Sequence, residues 1–250
     1  MAQSTVVLVT AASRGIGRCL AEAFLSRPNH IVVGSVRDES GATAQELKAF
    51  RPAEGSRLIM VKIDGTDFAD SAKAIKQAQD AGIEHIDIAI SVVGGAGGIS
   101  PLDKVTPEEV TRAVNLNALG PLGLYQAVKP LLEKSKAPKW VAITSAVGSI
   151  GNMGNFGSHV APAYGIGKAG LNWITMAAHC GNKALIAFVV HPGLVQTDGG
   201  NRVARGMGLP EAPNTKQQST DGILKLIDNA TRAETSGKFF DVISGAEIPW

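Results

Sequence analysis

Short runs of apolar and β-branched residues alternate with segments of helical periodicity along the whole chain. The strand-like runs, such as residues 5–10 and 86–93, are almost continuously apolar, which is typical of parallel strands buried on both faces. Right-handed crossovers between such strands produce a doubly wound sheet with helices on both sides. The pattern therefore predicts an α/β fold of the Rossmann type with a seven-stranded parallel sheet.

The chain has 250 residues, which suits one well-buried domain, and no repeat or linker divides it. We expect a single domain over residues 1–250, with a cofactor-binding half over about 1–115 and a catalytic and substrate-binding half over about 116–250. The predicted strands cover residues 5–10, 31–36, 58–63, 86–93, 140–144, 185–190 and 238–243. The predicted helices cover residues 15–26, 43–50, 67–81, 107–133 with an interruption near 120–121, 162–180 and 219–230.

Composition narrows the function classes. Apolar residues make up 44% and charged residues 18% of the chain, and the net charge is +2 without a long basic run. A nucleic-acid partner is therefore not expected, and neither a targeting segment nor an apolar run of membrane length is evident. We expect a cytoplasmic protein without a metal site, in which Cys19 and Cys180 are buried reduced thiols rather than a disulfide.

The first strand leads through small residues into a helix, at Ser13-Arg14-Gly15-Ile16-Gly17. Such a turn directs backbone N–H groups and the positive end of the helix dipole toward a pyrophosphate. A glycine pair after a strand also fits a tight turn with no ligand, so this signal is weak alone.

Arg37 ends the second strand, where folds that select NAD carry an acidic residue. The guanidinium groups of Arg37 and Arg14 can hold a 2′-phosphate, which favours NADPH over NADH. Two solvated surface arginines are the alternative, because Asp38 follows directly. Asp64, after the third strand, fits either an acceptor for an adenine amino group or a simple strand-end turn.

Tyr164 and Lys168 are four residues apart on a predicted helix, so their side chains share a face. A phenol with a reference pKa of about 10 is a poor acid–base group at neutral pH. An adjacent ammonium group is expected to lower that pKa, so that Tyr164 can pass a proton to a carbonyl oxygen. The pair predicts carbonyl chemistry with NADPH/NADP+ as the cofactor.

At this point the ordered motifs resemble the short-chain dehydrogenase/reductase family over the whole chain. The resemblance is strongest to its norsolorinic-acid ketoreductase branch and to the C-factor and sniffer-type carbonyl reductases. It rests on residues 13–17, 83–88, 117–121, 144–145, Tyr164 with Lys168, 191–198 and 245–250.

The resemblance implies roles for individual residues. Ser145 matches the serine that hydrogen-bonds the substrate oxygen, although a strand-end serine also caps turns. Asn117 matches the asparagine that holds a water against the lysine, and Lys168 would also bind the nicotinamide ribose. The residues expected to line the rest of the cofactor site are Gly94, Pro192, Gly193, Val195 and Thr197. A homodimer or homotetramer formed through the two long predicted helices, 107–133 and 162–180, is likewise implied.

Three departures from the family pattern stand out. The first glycine of the cofactor turn is Ala11, which costs roughly a kilocalorie per mole if the position needs a positive φ. The usual Asn-Asn-Ala-Gly after the fourth strand reads Ser91-Val92-Val93-Gly94, which is expected to weaken cofactor binding or reshape its pocket. Ser145 and Tyr164 are also unusually far apart. We expect the glycine-spaced residues 148–159 to form a mobile loop at the substrate rim. Phe156 and His159 in this loop are expected to face solvent, with contact to the substrate as the alternative.

Residues 199–218 are polar and punctuated by Gly and Pro, which predicts a substrate lid. The favoured function is an NADPH-dependent ketoreductase acting on a hydrophobic or aromatic ketone in fungal secondary metabolism. One alternative is an epimerase, dehydratase or cyclase that uses the same Tyr-Lys site. Another is a nucleotide-binding subunit without redox chemistry, which Ala11 and the missing asparagines would suit.

Overall fold

The computed structural model describes residues 4–95 and 98–250 and contains one seven-stranded sheet. All of the strand pairs are parallel, and the strand order is β3-β2-β1-β4-β5-β6-β7. The strands are β1 Thr5–Val9, β2 His30–Val36, β3 Arg57–Lys62, β4 Ile88–Ser91, β5 Lys139–Ile143, β6 Ile186–His191 and β7 Phe239–Asp241. The predicted fold class is confirmed.

Helices cover both faces of the sheet. They are α1 Gly15–Leu25, α2 Ala42–Lys48, α3 Asp70–Asp80, α4 Pro107–Val114, α5 Gly120–Leu132, α6 Met153–Phe156, α7 Pro162–Gly181, α8 Asp198–Gly206 and α9 Lys216–Asn229. A π-helical turn spans Asn115–Leu119, and 3₁₀ turns span Ala146–Gly148 and Ser158–Val160.

The core consists of two apolar layers on opposite sides of the sheet. Val6 and Leu8 of β1 pack in the layer that contains Leu131 of α5, and Val7 and Val9 pack in the layer with Phe24 of α1. Neighbouring residues of a strand point to opposite faces, so a strand covered on both sides must be apolar throughout. This is the physical origin of the continuous apolar runs in the sequence.

The predicted long helix 107–133 is divided into α4, the π-helical turn and α5. The interruption lies just before the predicted Gly120-Pro121 position. Pro121 has no N–H to donate to the carbonyl of Asn117, so a regular α-helix cannot continue through this point. The chain accommodates the lost bond by widening the preceding turn, as π-bulges do.

Two segments that were predicted as loops contain helices. Asp198–Gly206 forms α8. Thr197 caps this helix by accepting a hydrogen bond from the N–H of Gly200 at 3.0 Å, and this stabilisation outweighs the low helix propensity of the glycines. The predicted lid 199–218 is therefore a helix followed by residues 207–215 and the first turn of α9. Residues 148–159 likewise contain α6, which ends at Gly157 with φ +58°.

The cysteines differ from expectation. Cys180 is exposed and Cys19 is half-buried, and both are free thiols. Cys180 lies in the last turn of α7, where the helix leaves the core, so its apolar neighbours in sequence did not indicate burial. Within residues 4–95 and 98–250, no helix combines the length and the apolar character needed to cross a membrane.

Candidate active site

The predicted functional residues collect at the carboxyl edge of the sheet. The turn that starts α1 follows β1, Gly94 follows β4, Ser145 follows β5, and the 192–197 segment follows β6. Because all seven strands are parallel, their carboxyl ends meet at one edge, where doubly wound folds bind ligands. The topology thus gathers residues that are far apart in the sequence.

The turn between β1 and α1 leaves space for a ligand. Gly15 has φ +56°, and Arg14 at the N-cap makes no side-chain capping bond, so the first N–H groups of α1 remain open. A Cβ on Gly17 would overlap the carbonyl oxygen of Ala11, so the close approach of helix and turn requires glycine there. This geometry fits a pyrophosphate at the start of α1.

Ala11 adopts φ 52°, so the first departure from the family pattern carries a real cost. A left-handed alanine is disfavoured by about 1–2 kcal/mol because its Cβ crowds the following carbonyl. Ala11 is held in this conformation by its N–H, which donates to Ser35 Oγ at 3.3 Å.

Arg37 and Asp64 lie near each other at the ends of β2 and β3. Asp64 Oδ1 accepts hydrogen bonds from Thr66 N at 2.9 Å and from Thr66 Oγ1 at 2.7 Å, and these bonds, with a smaller contribution from Arg37, lower the pKa of the carboxyl group. The strand-end turn is therefore present, and one carboxylate oxygen is committed to it. Asp38 similarly accepts from Ser40 N and Oγ at 2.9 and 2.6 Å, and the exposed Arg37 lies beside it.

Thr10 supplies a connection that sequence reasoning missed. Its Oγ1 accepts hydrogen bonds from the N–H groups of Val92 at 2.8 Å and Val93 at 3.2 Å, so the ends of β1 and β4 are tied together. The loss of the two family asparagines therefore does not separate these strands. The available signal was a threonine at the end of an apolar strand.

Lys168 is 3% exposed, and its Nζ donates to the carbonyl of Ile143 at 2.9 Å. Burial lowers the pKa of this ammonium group to about 7. At neutral pH the side chain thus exists in both protonation states in comparable amounts, as suits a group that passes protons.

Tyr164 departs from the predicted pKa shift. Burial raises the pKa of the phenol, and a hydrogen bond with the Ser145 side chain opposes part of that rise. Lys168 Nζ lies 5.9 Å from the centre of the Tyr164 ring and is bonded to Ile143 instead. The expectation that the ammonium group lowers the phenol pKa is therefore wrong for this arrangement, because desolvation dominates.

Asn117 is fully buried in the π-helical turn. Its Nδ2 donates to the carbonyls of Ala113 at 2.9 Å and Gly95 at 3.1 Å, and its Oδ1 accepts from Gly95 N at 3.2 Å. A Cβ on Gly94 would lie 2.8 Å from Lys168 Nζ and 3.1 Å from Asn117 Oδ1. The structure thus places the side chains of Lys168 and Asn117 side by side against the backbone of Gly94.

Ser145 continues the extended backbone of β5, with φ −152° and ψ 149°. Its Oγ accepts a hydrogen bond from Val147 N at 3.3 Å, and the Ser145 side chain lies close enough to Tyr164 to lower the pKa of the phenol. The turn-capping role that the sequence offered as an alternative is therefore present, and the predicted hydrogen bond to a substrate oxygen stays a prediction.

The segment after β6 approaches the cofactor turn. Gly193 has φ +85°, and Val195 is buried and pairs with Asn214. Thr197 Cγ2 lies 3.5 Å from the position that a Cβ on Gly15 would take. Two segments that the sequence assigned to one cofactor are thus neighbours.

A cavity of about 310 Å³ adjoins Asn117. Its lining comes from α4, the segment after β4 and Ala163: Gly95, Gly98, Ser100, Val105, Glu109, Arg112, Ala113, Leu116, Asn117 and Ala163. The cavity has room for ordered water beside the buried amide. In the part of the chain that the structure describes, no group of three or more His, Cys, Asp or Glu side chains is placed to hold a metal ion.

Comparison with known proteins identifies the family. A sequence profile described as "short chain dehydrogenase" matches residues 5–207. The chain is 45% identical to the short-chain dehydrogenase RED3 of Pyricularia oryzae, with all of both chains covered. The chain belongs to the short-chain dehydrogenase family. It is therefore an oxidoreductase, as its motifs predicted.

Two further comparisons place it within that family. The chain is 38% identical to the norsolorinic acid ketoreductase of Aspergillus parasiticus, covering 99% of this chain and 92% of the relative. An NADPH-bound carbonyl reductase from chicken fatty liver superposes with a TM-score of 0.86 at 26% identity, covering 100% of this chain and 96% of the reductase. The predicted resemblance to ketoreductases and carbonyl reductases is confirmed.

The depressed pKa of Lys168 predicts a specific pH dependence of stability. Between pH 7 and the ordinary lysine pKa, the unfolded chain binds a proton at this residue that the folded chain largely lacks, so the free energy of unfolding rises with pH. From pH 7 to pH 9 this contribution is about 2 kcal/mol.

Denaturant unfolding of the wild type and of Lys168→Met at both pH values measures it. The difference in stability between the two proteins should shift in favour of the wild type as the pH rises. A difference that stays constant would contradict the assignment. Lys139→Met is a useful comparison, since burial lowers the pKa of Lys139 as well, although that side chain is only partly buried.

Proposed function

We propose that this chain is an NADPH-dependent ketoreductase that converts a hydrophobic or aromatic ketone to an alcohol. The observation that carries the proposal is the seating of the turn after Ser145 on α7, directly against the buried Lys168, one helical turn after Tyr164. These groups lie at the edge of the sheet that also holds the glycine turn of α1.

The residues present fit a dinucleotide cofactor with a 2′-phosphate. Gly15 and Gly17 allow a pyrophosphate to approach α1, and Thr197 lies next to this turn from the segment after β6. Arg14 and Arg37 are both exposed and available to a phosphate. When bound, NADPH supplies the hydride.

The protein's own groups supply the proton. Because its pKa is raised, Tyr164 stays protonated at neutral pH and can donate its proton to the substrate carbonyl oxygen. Ser145 can donate a second hydrogen bond to the same oxygen as negative charge develops there. Lys168 and Asn117 adjoin each other at Gly94, and Asn117 also lines the cavity, so together they would return a proton to Tyr164 through ordered water.

Apolar side chains surround this edge and support a hydrophobic substrate. Nine large apolar residues that follow the carboxyl ends of β4 to β7 are exposed to solvent: Ile99, Leu102, Ile150, Met153, Phe156, Val160, Met207, Leu209 and Ile243. Exposed apolar side chains around one edge of a sheet are typical of a binding surface for apolar ligands. The name of a relative, norsolorinic acid ketoreductase, indicates that it reduces a ketone, in keeping with the proposed reaction.

The alternatives use fewer of these features. A nucleotide-binding subunit without redox chemistry would need neither the Ser145–Tyr164 hydrogen bond nor a half-protonated Lys168. An epimerase, dehydratase or cyclase would use the acid–base groups without net consumption of NADPH. Stoichiometric oxidation of NADPH with a ketone distinguishes the proposal from both.

The exposed face of α7 supports a homo-oligomer. Trp173 and Ile166 are 73% and 46% exposed and lie seven residues apart, so they share one side of the helix. A tryptophan with this exposure on a regular helix is typical of an interface. We propose that a second copy of this chain covers it.

The tyrosine carries the first test of the reaction. Tyr164→Phe should lower kcat for ketone-dependent NADPH oxidation by at least about a hundredfold, since it removes the proton donor. Tyr125→Phe is the matched control, because Tyr125 is the other tyrosine of the chain and packs edge-on against Trp140 in the core. Full activity in Tyr164→Phe would refute the mechanism.

Substitution of Arg37, which follows β2, tests the preference for NADPH. Arg37→Glu should weaken NADPH binding about tenfold or more and leave NADH binding nearly unchanged, because the lost pair involves the 2′-phosphate. Arg51→Glu makes the same charge change at another exposed arginine and should have little effect. Fluorescence titration with both cofactors measures the dissociation constants. Equal affinity of the wild type for NADPH and NADH would contradict NADPH selection.

The oligomer prediction concerns Trp173. Trp173→Glu places a charge in the proposed interface and should shift the mass measured by light scattering to that of a monomer. Met207→Glu introduces the same charge at another exposed apolar position, after α8 rather than on α7, and should leave the mass unchanged. A wild type that is monomeric at all accessible concentrations would exclude the interface.

A further inference from the structure

The segment that carries Ser145 lies directly on α7. A Cβ on Gly148 would come within 2.8 Å of Lys168 Cβ, and a Cβ on Gly165 would come within 3.3 Å of the Val147 carbonyl oxygen. The 3₁₀ turn Ala146–Gly148 is thus seated against the face of the helix that includes Gly165 and Lys168. The placement of Ser145 relative to Tyr164 depends on this contact between turn and helix.

Asn172 joins the two elements through hydrogen bonds. It lies one turn after Lys168 on α7 and is 4% exposed. Its Oδ1 accepts from Thr144 Oγ1 at 2.7 Å, and its Nδ2 donates to the Gly148 carbonyl at 3.1 Å. One of these partners precedes Ser145 directly and the other follows it by three residues, so the carboxamide spans the residue on both sides.

Two further hydrogen bonds lie within the turn itself and do not reach α7. Gly148 N donates to the Ser145 carbonyl at 2.9 Å, and Val147 N donates to Ser145 Oγ at 3.3 Å. Both bonds join residues of the turn to each other, so they fix its shape and leave its position on the helix open. Asn172 and the Lys168–Ile143 bond connect the segment to α7.

We propose that Asn172 is a positioning residue of this site, whose carboxamide fixes the Thr144–Gly148 segment on α7 so that Ser145 meets the Tyr164 hydroxyl. The inference rests on the proposed ketoreductase function. An amide suits the position because it accepts from a hydroxyl and donates to a carbonyl at once. An apolar side chain of similar volume would leave both buried partners unpaired and release the segment.

A double-mutant cycle tests the proposal. Asn172→Leu is compared in the wild-type and Ser145→Ala backgrounds by kcat and KM for NADPH oxidation with an aromatic ketone. In the wild-type background we expect Asn172→Leu to lower kcat about ten- to hundredfold, because a reacting group misplaced by up to about an ångström reacts that much more slowly. The KM for NADPH should change little. In the Ser145→Ala background the same substitution should change kcat less than about twofold, because the group it positions is absent. An equal loss in both backgrounds would overturn the proposal.

The pH profile gives an independent readout. The hydrogen bond with Ser145 lowers the pKa of Tyr164, so displacing Ser145 should move the alkaline limb of kcat for ketone reduction to higher pH. Asn172→Leu and Ser145→Ala should show this shift alike. A variant that is merely less stable would keep the wild-type limb.

Thr175→Val provides the matched control. Thr175 lies on the same helix, is 1% exposed, and accepts a hydrogen bond from Trp140 Nε1 at 3.2 Å. Its substitution removes a buried hydrogen bond away from the Ser145 segment and should leave kcat near the wild-type value. If Asn172→Leu does not fold, Thr144→Val removes the partner hydroxyl and enters the same cycle with the same expected outcomes.

The outcomes separate the two proposals. Wild-type turnover that is lost in Tyr164→Phe supports the ketoreductase function by itself. An active wild type whose kcat is unaffected by both Asn172→Leu and Thr144→Val would overturn the positioning role and leave the function standing. A wild type without NADPH oxidation on any ketone would overturn both.

Discussion

The candidate active site at the carboxyl edge of the sheet depends on the hydrogen bond between the buried ammonium group of Lys168 and the carbonyl of Ile143. A charge with almost no exposure is costly unless it is hydrogen-bonded, and here the carbonyl at the end of β5 accepts its proton at 2.9 Å. That bond holds α7 against the strand end from which Ser145 emerges. The same desolvation brings the pKa of Lys168 to about 7, so one contact both aligns the helix and prepares a group that exchanges protons near neutral pH.

Close packing around this contact comes from small residues. Gly148 lies against the backbone of Lys168, and Gly167 lies so near α4 that a Cβ would come 2.8 Å from the carbonyl of Ala113. The carbonyl of Ala113 in turn accepts from Asn117 Nδ2, so the π-helical turn is linked to the same face of α7. The elements that carry Ser145 and Asn117 therefore both pack against α7, which carries Tyr164 and Lys168. Glycines at these contacts allow the backbones to lie close together, which larger side chains would prevent.

Much of this architecture could be read from the sequence because its causes are local. Continuous apolar runs report burial on both faces, and the spacing of Tyr164 and Lys168 reports a shared helix face. The pKa of Tyr164 could not be read in this way, because its sign depends on whether desolvation or the ammonium group dominates, and that depends on where Lys168 Nζ points. The role of Thr10 and the cap at Thr197 were missed for a related reason. Each is one hydroxyl whose partner is decided by how the strand ends meet.

The cofactor end shows how the chain tolerates its departures from the family pattern. Ala11 keeps a positive φ despite its Cβ, and the strain is compatible with a stable turn because the N–H groups of Ala11 and Ala12 bond to Ser35. Thr10 connects β1 to the segment after β4, where the family uses asparagines. The backbone positions are thus kept at both places, although Ala11 adds a methyl group to the turn and the segment after β4 lacks the family's amide side chains. A dinucleotide bound at this end would therefore meet backbone N–H groups and the two exposed arginines, Arg14 and Arg37, rather than amide side chains.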